Sequence, residues 1–405
     1  MSTLAFSLPR SARGLLVAGC IALTAVAAGI SVARAETTSA EFSEKYNAGV
    51  TAYKAKDLAK ALQSAKEARA IAKTAFEKTA SGKLLVTAAG ASAKYADEAE
   101  ALEQLLAGEG VTAQERLQFH KALSQVYGQM NKMDKAIAEM KEYLKGSGGS
   151  SADWDALAIL YFGARDCRNG LEALDKALAG GKEANELQLK ARDSCYFQMK
   201  DQSRLLAVAE ELLRRFPKKD YYNQVLAVYQ DRKIDDLAIL ELLRYGFEKD
   251  FLEVESDYLK LADRALDVGT TAEAQTVLEK GLARKVIKNK DKASKLLEQA
   301  KTRAADDVKT APQLDAEAHA GKNGDTDVKL GLRYFSMGLY DKAVDALQRG
   351  LSPERLARVK RPDDASMVLG ISYLRLKKKA EAEKAFTAAK ADPRMAPAAK
   401  IWLGA

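Results

Sequence analysis

Apolar and small side chains recur along this chain with the spacing of paired amphipathic helices. The clearest copy has Gly370 and Tyr373, then a polar turn, then Ala382, Phe386 and Ala389, with Pro393 after them. Steps of three and four residues place side chains on one face of a helix, so each half of the copy predicts one helix with a buried stripe. The gap between the halves holds a turn, and the pattern therefore predicts a helix hairpin.

The same offsets return along the chain from residue 49 onward. Good copies begin at Ser124, Ala158 and Gly331, and weaker copies begin at Gly49, Asp193, Leu226 and Ala262. The tyrosines at positions 127, 161, 196 and 229 follow one another at intervals of 34, 35 and 33 residues. A fixed period of this kind is typical of repeat proteins, in which each unit stacks on the next.

The period and the residue types resemble the tetratricopeptide repeat (TPR). The segment from Trp154 to Tyr161, Trp-Asp-Ala-Leu-Ala-Ile-Leu-Tyr, is similar to the opening of its motif. The resemblance implies an all-α fold, a solenoid of about ten stacked helix hairpins with a short C-terminal capping helix. Asp193 and Leu226 depart from the small residue that the motif prefers. Residues 82–107 and 286–321 fit poorly but keep a helical pattern, so they are interpreted as degenerate repeats.

These patterns divide the chain into a signal segment and successive groups of repeats. The predicted divisions are 1–35 signal peptide, 36–145 N-terminal repeats, 146–151 flexible Gly/Ser linker, 152–283 central repeats, 284–325 degenerate helical repeat, 326–394 two C-terminal repeats and 395–405 capping helix. The linker is predicted because its six residues are all Gly or Ser, which favour flexible connections.

The N-terminus has the three parts of a secretory signal peptide. Arg10 and Arg13 precede an apolar run over residues 14–30, and the small residues Ala33 and Ala35 mark a cleavage site before Glu36. We therefore expect a periplasmic protein with no transmembrane helix after cleavage. An uncleaved membrane anchor and a secreted protein are the alternatives, and Cys20 gives a weaker match to a lipidation site.

The sequence carries no recognisable catalytic chemistry. His120 and His319 are the only two histidines, and neither has an acidic partner at ligand spacing. Phosphate-loop, dinucleotide-binding, zinc-protease and nucleophile-elbow motifs are all missing from the 405 residues. We therefore predict a protein that is not an enzyme, with no catalytic residue, no cofactor and no metal site.

Export leaves two cysteines, Cys167 and Cys195, in an oxidising compartment. In the register that the TPR resemblance implies, Cys167 begins the second helix of one unit and Cys195 lies late in the first helix of the next. The ends of these helices would meet on one side of the array. A disulfide is therefore one interpretation, and two buried free thiols are the other.

In TPR proteins the first helix of each unit lines a concave groove, so the resemblance implies a partner-binding surface on those helices. Phe162, Phe197 and Phe335 each follow the Tyr of their motif, which turns their rings about 100° away from that core position. The other residues on this stripe are Lys121, Gln125, Ile159, Lys190, Asn223, Gln230, Leu332, Ile371 and Arg375. Two interpretations of the rings remain open: anchors for a partner peptide, or packing against the adjoining helix.

Charge is unevenly distributed and points to a second kind of partner. Residues 284–405 hold 26 Lys and Arg against 16 Asp and Glu, a net charge of +10, whereas residues 36–283 have a net charge of −5. Arg355, Arg358, Lys360 and Arg361 form a predicted basic patch in an extended loop. An anionic envelope polymer or lipid could bind there, and nucleic acid is not expected in an exported protein.

The function that these features predict is a non-catalytic protein–protein interaction scaffold in the bacterial cell envelope, which binds a partner peptide or protein. The alternative is a polysaccharide- or peptidoglycan-binding accessory module of an envelope assembly or export system.

Overall fold

A computed structural model describes residues 38–231 and 234–404 of the chain, and the predicted signal peptide lies outside them. The described residues form 21 helices and no strand. The chain folds into two compact units, one up to Ala191 and one from Arg192 onward, with the boundary inside the ninth helix. The all-α prediction is confirmed.

The first unit consists of four helix hairpins and the start of a fifth. Its helices are α1 (Ala40–Lys54), α2 (Leu58–Ile71), α3 (Ala75–Ala91), α4 (Tyr95–Ala107), α5 (Ala113–Gln129), α6 (Met133–Ser147), α7 (Ser151–Gly163), α8 (Cys167–Ala177) and α9 (Glu186–Gln198). Each odd-numbered helix up to α7 packs against the next helix, and consecutive hairpins pack against each other. Residues 82–107, predicted to be a degenerate repeat, fall within the regular hairpin α3–α4.

A side-chain cap begins the first helix of each of the four hairpins in this unit. In the capping box of α7, Ser150 Oγ accepts from the Asp153 amide, and the Asp153 carboxylate accepts from the Ser150 amide. Thr74 with Glu77 and Thr112 with Glu115 form the same arrangement at α3 and α5. Because the caps fix where each first helix starts, they also fix the register of the hairpins.

The predicted Gly/Ser linker is a short connection between α6 and α7. Helix α6 continues to Ser147, Gly148 and Gly149 have positive φ, and Ser150 caps α7, so three residues lie outside the helices. A hinge role for this segment stays a prediction.

The second unit contains the rest of α9 and twelve further helices. They are α10 (Gln202–Arg215), α11 (Lys219–Asp231), α12 (Asp236–Glu248), α13 (Glu255–Val268), α14 (Thr271–Ala283), α15 (Lys290–Ala320), α16 (Gly324–Ser336), α17 (Tyr340–Gly350), α18 (Pro353–Leu356), α19 (Pro362–Arg375), α20 (Lys379–Ala389) and α21 (Ala396–Trp402).

Small residues bring the two helices of a hairpin together, as the repeat pattern predicts. A Cβ atom added to Gly331 in α16 would lie 2.5 Å from Leu347 Cγ in α17, and one added to Gly370 in α19 would overlap the Phe386 ring in α20. Both pairs occupy matching positions of the repeat. The pattern of small and large residues therefore sets the spacing within these hairpins.

The segment predicted to be a degenerate repeat at 284–325 contains one long helix, α15, of 31 residues. It has no internal turn, and Pro312 lies within it. Its buried face is a stripe of alanines with Asp307, so it packs closely on α14 and α16 without the large side chains of a hairpin core. Apart from α15 and the short helices α18 and α21, the described helices follow one another along the chain as nine pairs, against the ten hairpins predicted.

Two helices of the second unit are buried on all sides. Residues 238–246 of α12 and 363–373 of α19 are buried without interruption. The C-terminal helix α21 packs not only on α20, as a cap would, but also on α10 and α12, about 150 to 190 residues earlier in the chain. The second unit is thus closed by its own C-terminal helix.

Candidate partner-binding site

The centre of the second unit holds a buried cluster of charged side chains. Arg244 in α12 donates from Nη1 to Glu241 Oε1 at 2.5 Å, and from Nε and Nη2 to the two carboxylate oxygens of Glu273 at 2.9 and 2.7 Å. Nη2 also donates to Thr270 Oγ1 at 3.1 Å. Asp364 of α19 is buried and interacts electrostatically with Glu241 and Arg244. One buried cation is therefore surrounded by three carboxyl groups.

Burial favours the protonated form of two of these carboxyl groups. Burial raises the pKa of Glu241 to about 7, against the opposing effect of Arg244 and with further increases from Asp364 and Glu273. Burial also raises the pKa of Asp364. Although burial lowers the pKa of Arg244, its carboxylate partners outweigh that effect, so the guanidinium stays charged.

The C-terminal helix completes this cluster. Trp402 Nε1 donates to the carbonyl oxygen of Glu241 at 3.0 Å, and its ring meets Tyr245 edge-on and stacks on Phe386 at centroid distances of 5.4 and 5.9 Å. The indole N–H therefore has a partner, and the ring is packed on two aromatic neighbours.

A cleft of about 240 Å³, here called the aromatic cleft, opens beside the cluster. Its lining includes Phe247, Phe335, Tyr340, Ile371, Arg375 and Trp402. Three of these residues, Phe335, Ile371 and Arg375, belong to the stripe predicted from the sequence, and they come from two different repeats. The second unit thus brings them to one place.

Cations of the chain cover the ring faces of this cleft. Arg244 lies over Phe335 at 5.3 Å, Lys280 over Phe247 at 4.5 Å, and Arg375 over Tyr340 at 5.9 Å from the ring centroid. Arg375 also forms an ion pair with Glu248. Because the cations and carboxylates balance, the cleft favours a neutral or apolar group over a charged one.

The remaining predicted residues of the second unit differ in accessibility. Leu332, Phe335 and Ile371 are buried, with 6%, 9% and 3% exposed, because α16 and α19 pack inside the unit. Phe197 is 70% exposed, Asn223 is exposed and Gln230 is half-buried. Of the three predicted rings, Phe197 is therefore the one that solvent reaches freely.

In the first unit the predicted stripe is partly used for packing. Lys121 Nζ forms an ion pair with Asp153 at 2.6 Å and lies 5.0 Å from the centroid of Tyr143, so it ties α5 to the cap of α7. Ile159 is 38% exposed, whereas Gln125, Phe162 and Lys190 are half-buried. The ring of Phe162 packs against Gly170 of α8.

The predicted basic patch divides into bound and accessible residues. Arg355 donates to Asp327 Oδ2 and to the Ala318 carbonyl, at 2.5 and 2.9 Å, and Arg361 lies 3.7 Å from Asp364. The fully buried Asp327 needs this cation, which explains why Arg355 points inward. Arg358 and Lys360 are exposed and remain available.

Cys167 and Cys195 are both buried, and their pairing stays a prediction. The expectation that neither histidine has an acidic partner was wrong. His120 Nδ1 lies 2.6 Å from Glu139 Oε2 of the next helix, and His319 Nδ1 lies 3.1 Å from Oδ1 of Asp315, four residues earlier on the same helix. Within residues 38–231 and 234–404, no group of three or more His, Cys, Asp or Glu is placed to hold a metal ion. The same residues contain no helix that is long and apolar enough to cross a bilayer.

The sequence patterns did not identify the charged cluster or its link to Trp402. One signal was present, because Glu241 and Arg244 interrupt an otherwise apolar segment at a spacing of three residues, which places them on the same face of a helix. Their partners Glu273 and Trp402 are distant in sequence, so the pattern gives no indication of them.

Comparison with known proteins returns distant structural likenesses. No protein-family model matches the chain, and no curated protein matches it. A tetratricopeptide repeat protein from Parabacteroides merdae covers 65% of this chain with 99% of its own, at 14% identity and a TM-score of 0.36. The TPR2AB-domain:pHSP90 complex of yeast Sti1 covers 64% of this chain with 98% of its own, at 16% identity and a TM-score of 0.34. The structure of Naa15/Naa10 bound to HypK-THB covers 87% of this chain with 64% of its own, at 14% identity and a TM-score of 0.38.

Since every one of these TM-scores is below 0.5, the fold is assigned from the chain's own helices. Within each unit the hairpins follow one another and their helices meet at small residues, an all-α arrangement whose sequence repeat resembles that of the TPR.

Proposed function

We propose that the protein is a non-catalytic protein–protein interaction scaffold of the bacterial cell envelope. The observation that carries this proposal is the aromatic cleft, in which Phe335, Ile371 and Arg375 meet although they come from different repeats. Aromatic and arginine side chains in a partly enclosed pocket are typical of the residues that dominate binding to a partner protein.

The size of the aromatic cleft supports a protein partner. Its volume of about 240 Å³ lies below the roughly 300 to 1,000 Å³ of most ligand and cofactor pockets. A single side chain of a partner protein fits this volume better than a cofactor does. The rim residue Arg375 would then contact the partner backbone or a polar neighbour.

Each unit also has an accessible apolar side chain on one of its first helices, apart from the aromatic cleft. Phe197 on α9 and Ile159 on α7 are 70% and 38% exposed. Both occupy stripe positions that the TPR resemblance assigns to partner contacts, and they would add apolar contact area. The location in the envelope rests on the signal-peptide pattern of residues 1–35.

Affinity capture from envelope extract tests the proposal. Tagged mature protein should retain a defined protein, and Arg375→Glu should weaken that retention at least tenfold without lowering the melting temperature by more than a few degrees, since its ion pair is partly exposed. Lys384→Glu, an exposed change on α20, is the matched control. Equal capture by all three proteins would contradict the cleft as the binding site.

The polysaccharide alternative is tested in the same experiment. Retention on purified peptidoglycan or anionic polysaccharide, lost when the exposed Arg358 and Lys360 are both changed to Glu, would support the accessory-module function instead.

A further inference from the structure

A second cleft, of about 300 Å³, lies in the first unit between α6, α7 and α8. Its floor is formed by the buried side chains of Leu144, Leu157 and Ala173, and its walls are the half-buried rings of Trp154 and Tyr161. The floor is therefore apolar, and the walls are amphipathic.

Lysines dominate the rim of this cleft. Lys141, Lys145 and Lys176 are all exposed, against one carboxylate in the lining, Glu172. In the described part of the chain none of the three lysines forms an ion pair within 4.0 Å, and Lys176 Nζ lies 4.3 Å from the centroid of Trp154. Three cations without anionic partners thus surround an apolar floor, and we call this site the lysine-rimmed cleft.

We propose that the lysine-rimmed cleft binds an acidic segment of a partner polypeptide, with one bulky apolar side chain on the Leu144 and Leu157 floor and carboxylates against Lys141, Lys145 and Lys176. The charge of the rim is complementary to such a segment. The volume lies at the lower limit for ligand pockets and accommodates one large side chain.

The observations favour a peptide over a glycan or a lipid surface. A sugar ring binds by stacking on an open aromatic face, but Lys176 covers a face of Trp154. A flat anionic membrane would reach the lysines but leave the recessed apolar floor unused. An acidic peptide with an apolar residue uses both features.

This site is separate from the proposed partner surface. Its lining includes Trp154, Leu157 and Tyr161 of the first helix α7, but it shares no residue with the predicted stripe or with the aromatic cleft. If the aromatic cleft proves not to bind a partner, the lysine-rimmed cleft can still bind its peptide. The two proposals can therefore be tested independently.

Fluorescence anisotropy with the full mature chain tests the inference. The probe is a labelled peptide, Gly-Glu-Asp-Leu-Glu-Asp-Gly, titrated at low salt. Binding should be saturable, and the double variant Lys145→Glu/Lys176→Glu should weaken it at least tenfold. Lys384→Glu, which also reverses one exposed lysine, should leave binding within twofold of wild type. Circular dichroism and thermal melting confirm that each variant is folded.

Further measurements separate the contribution of the rim lysines to peptide binding from that of the apolar floor. Replacing the central Leu of the peptide with Ser should weaken binding at least fivefold, and raising the salt to about 0.5 M should weaken it further. Binding should also change the fluorescence of Trp154, measured in a Trp402→Phe background. Failure to saturate below about 1 mM, equal binding by the double variant, or stronger binding of dextran sulfate or phosphatidylglycerol vesicles than of the peptide would overturn the proposal.

Discussion

Glu241 shows how one buried residue sets the response of the second unit to pH. It shares the cation Arg244 with Glu273, and Asp364 is close enough to repel its charge. Burial raises the pKa of Glu241 from 4.5 to about 7. The folded state thus binds this proton more tightly than the unfolded chain does, so the contribution to stability is fully present below pH 4.5 and is lost as pH rises through about 7.

We therefore expect Glu241→Gln to become more stable relative to wild type between about pH 5 and pH 8. Urea unfolding of both proteins at several pH values measures this difference. The comparison cancels other groups, such as Glu98 in the first unit, whose pKa burial also raises to about 7. A difference in unfolding free energy that stays constant across this range would show that Glu241 is ionised in the folded protein.

Two of the aromatic rings predicted to bind a partner differ strongly in how far they are buried. Phe335 is 9% exposed and packs under Arg244, so Phe335→Ala should lower the free energy of unfolding by about 3 to 5 kcal/mol. Phe197 is 70% exposed, so Phe197→Ala should change it by less than about 0.5 kcal/mol. Chemical denaturation measures both. A large loss of stability for Phe197→Ala without a specific loss of partner affinity would mean that its ring is part of the core and not of the partner surface.

Cys167 and Cys195 are predicted to form a disulfide in the exported protein. Such a bond stabilises a folded protein by about 3.5 kcal/mol for a loop of this length, mainly by restricting the unfolded chain. Non-reducing peptide mapping should find the two residues in one linked fragment, and reduction should lower the melting temperature. Two alkylatable thiols in oxidised, folded protein would reject the bond.

The repeat pattern predicts single residues well where their role is local. Gly331 and Gly370 were identified as the small residues that begin two copies of the repeat, and each faces a large side chain of the same hairpin. Accessibility was predicted less well. Leu332 and Ile371 lie on the predicted stripe but are buried, because α16 and α19 pack against several other helices of the second unit. Periodicity indicates which face of a helix a residue occupies but not what later packs on that face.

Among the helices, the C-terminal α21 departs most clearly from the role of a simple cap. Trp402 contacts Tyr245 and Phe386 and donates to the Glu241 carbonyl, 161 residues earlier. Trp402→Ala removes this ring and its hydrogen bond, and we expect a loss of about 3 to 5 kcal/mol in unfolding free energy, measured by chemical denaturation. Lys400→Ala on the same helix is exposed and serves as the control.

Removal of residues 395–405 should have an even larger effect. The deletion exposes apolar surface on α10, α12 and α20 together, so the melting temperature should fall or the protein should aggregate. Full stability after the deletion would contradict a structural role for α21 and indicate that it is a docking segment.

Helix α15 illustrates an element whose type was predicted and whose extent was not. Its helical pattern is evident from the sequence, but the alanine stripe lacks the large residues that mark a hairpin core. Without a Gly or Asn turn inside residues 290–320, the chain continues as one helix, and it tolerates Pro312 within that helix. A degenerate repeat and a single long helix differ only in that missing turn.

At the level of the whole chain, the repeat period predicts the class of fold but not its division into units. Each hairpin is specified by local residues, so the number of hairpins was predicted closely. The closure of the second unit depends on contacts between residues far apart in the sequence, such as Trp402 with Glu241. The aromatic cleft is a product of this closure, which explains why only part of its lining was predicted from the sequence.

The location of the whole protein depends on the segment before the described residues. Arg10 and Arg13, the apolar run of residues 14–30 and the small residues at 33 and 35 match a signal peptide, whose removal leaves Glu36 as the first residue. N-terminal sequencing of protein from the periplasm should therefore begin at Glu36.

Variants of the cleavage site test the same prediction. Changing Ala33 and Ala35 to bulky residues should block cleavage and hold the protein at the membrane. Ala28→Leu, which keeps the apolar run apolar, should not. Mature protein that retains residues 14–30 would instead identify a membrane-anchored scaffold, and recovery of the uncleaved chain in the cytoplasm would contradict export, the oxidising compartment and the disulfide together.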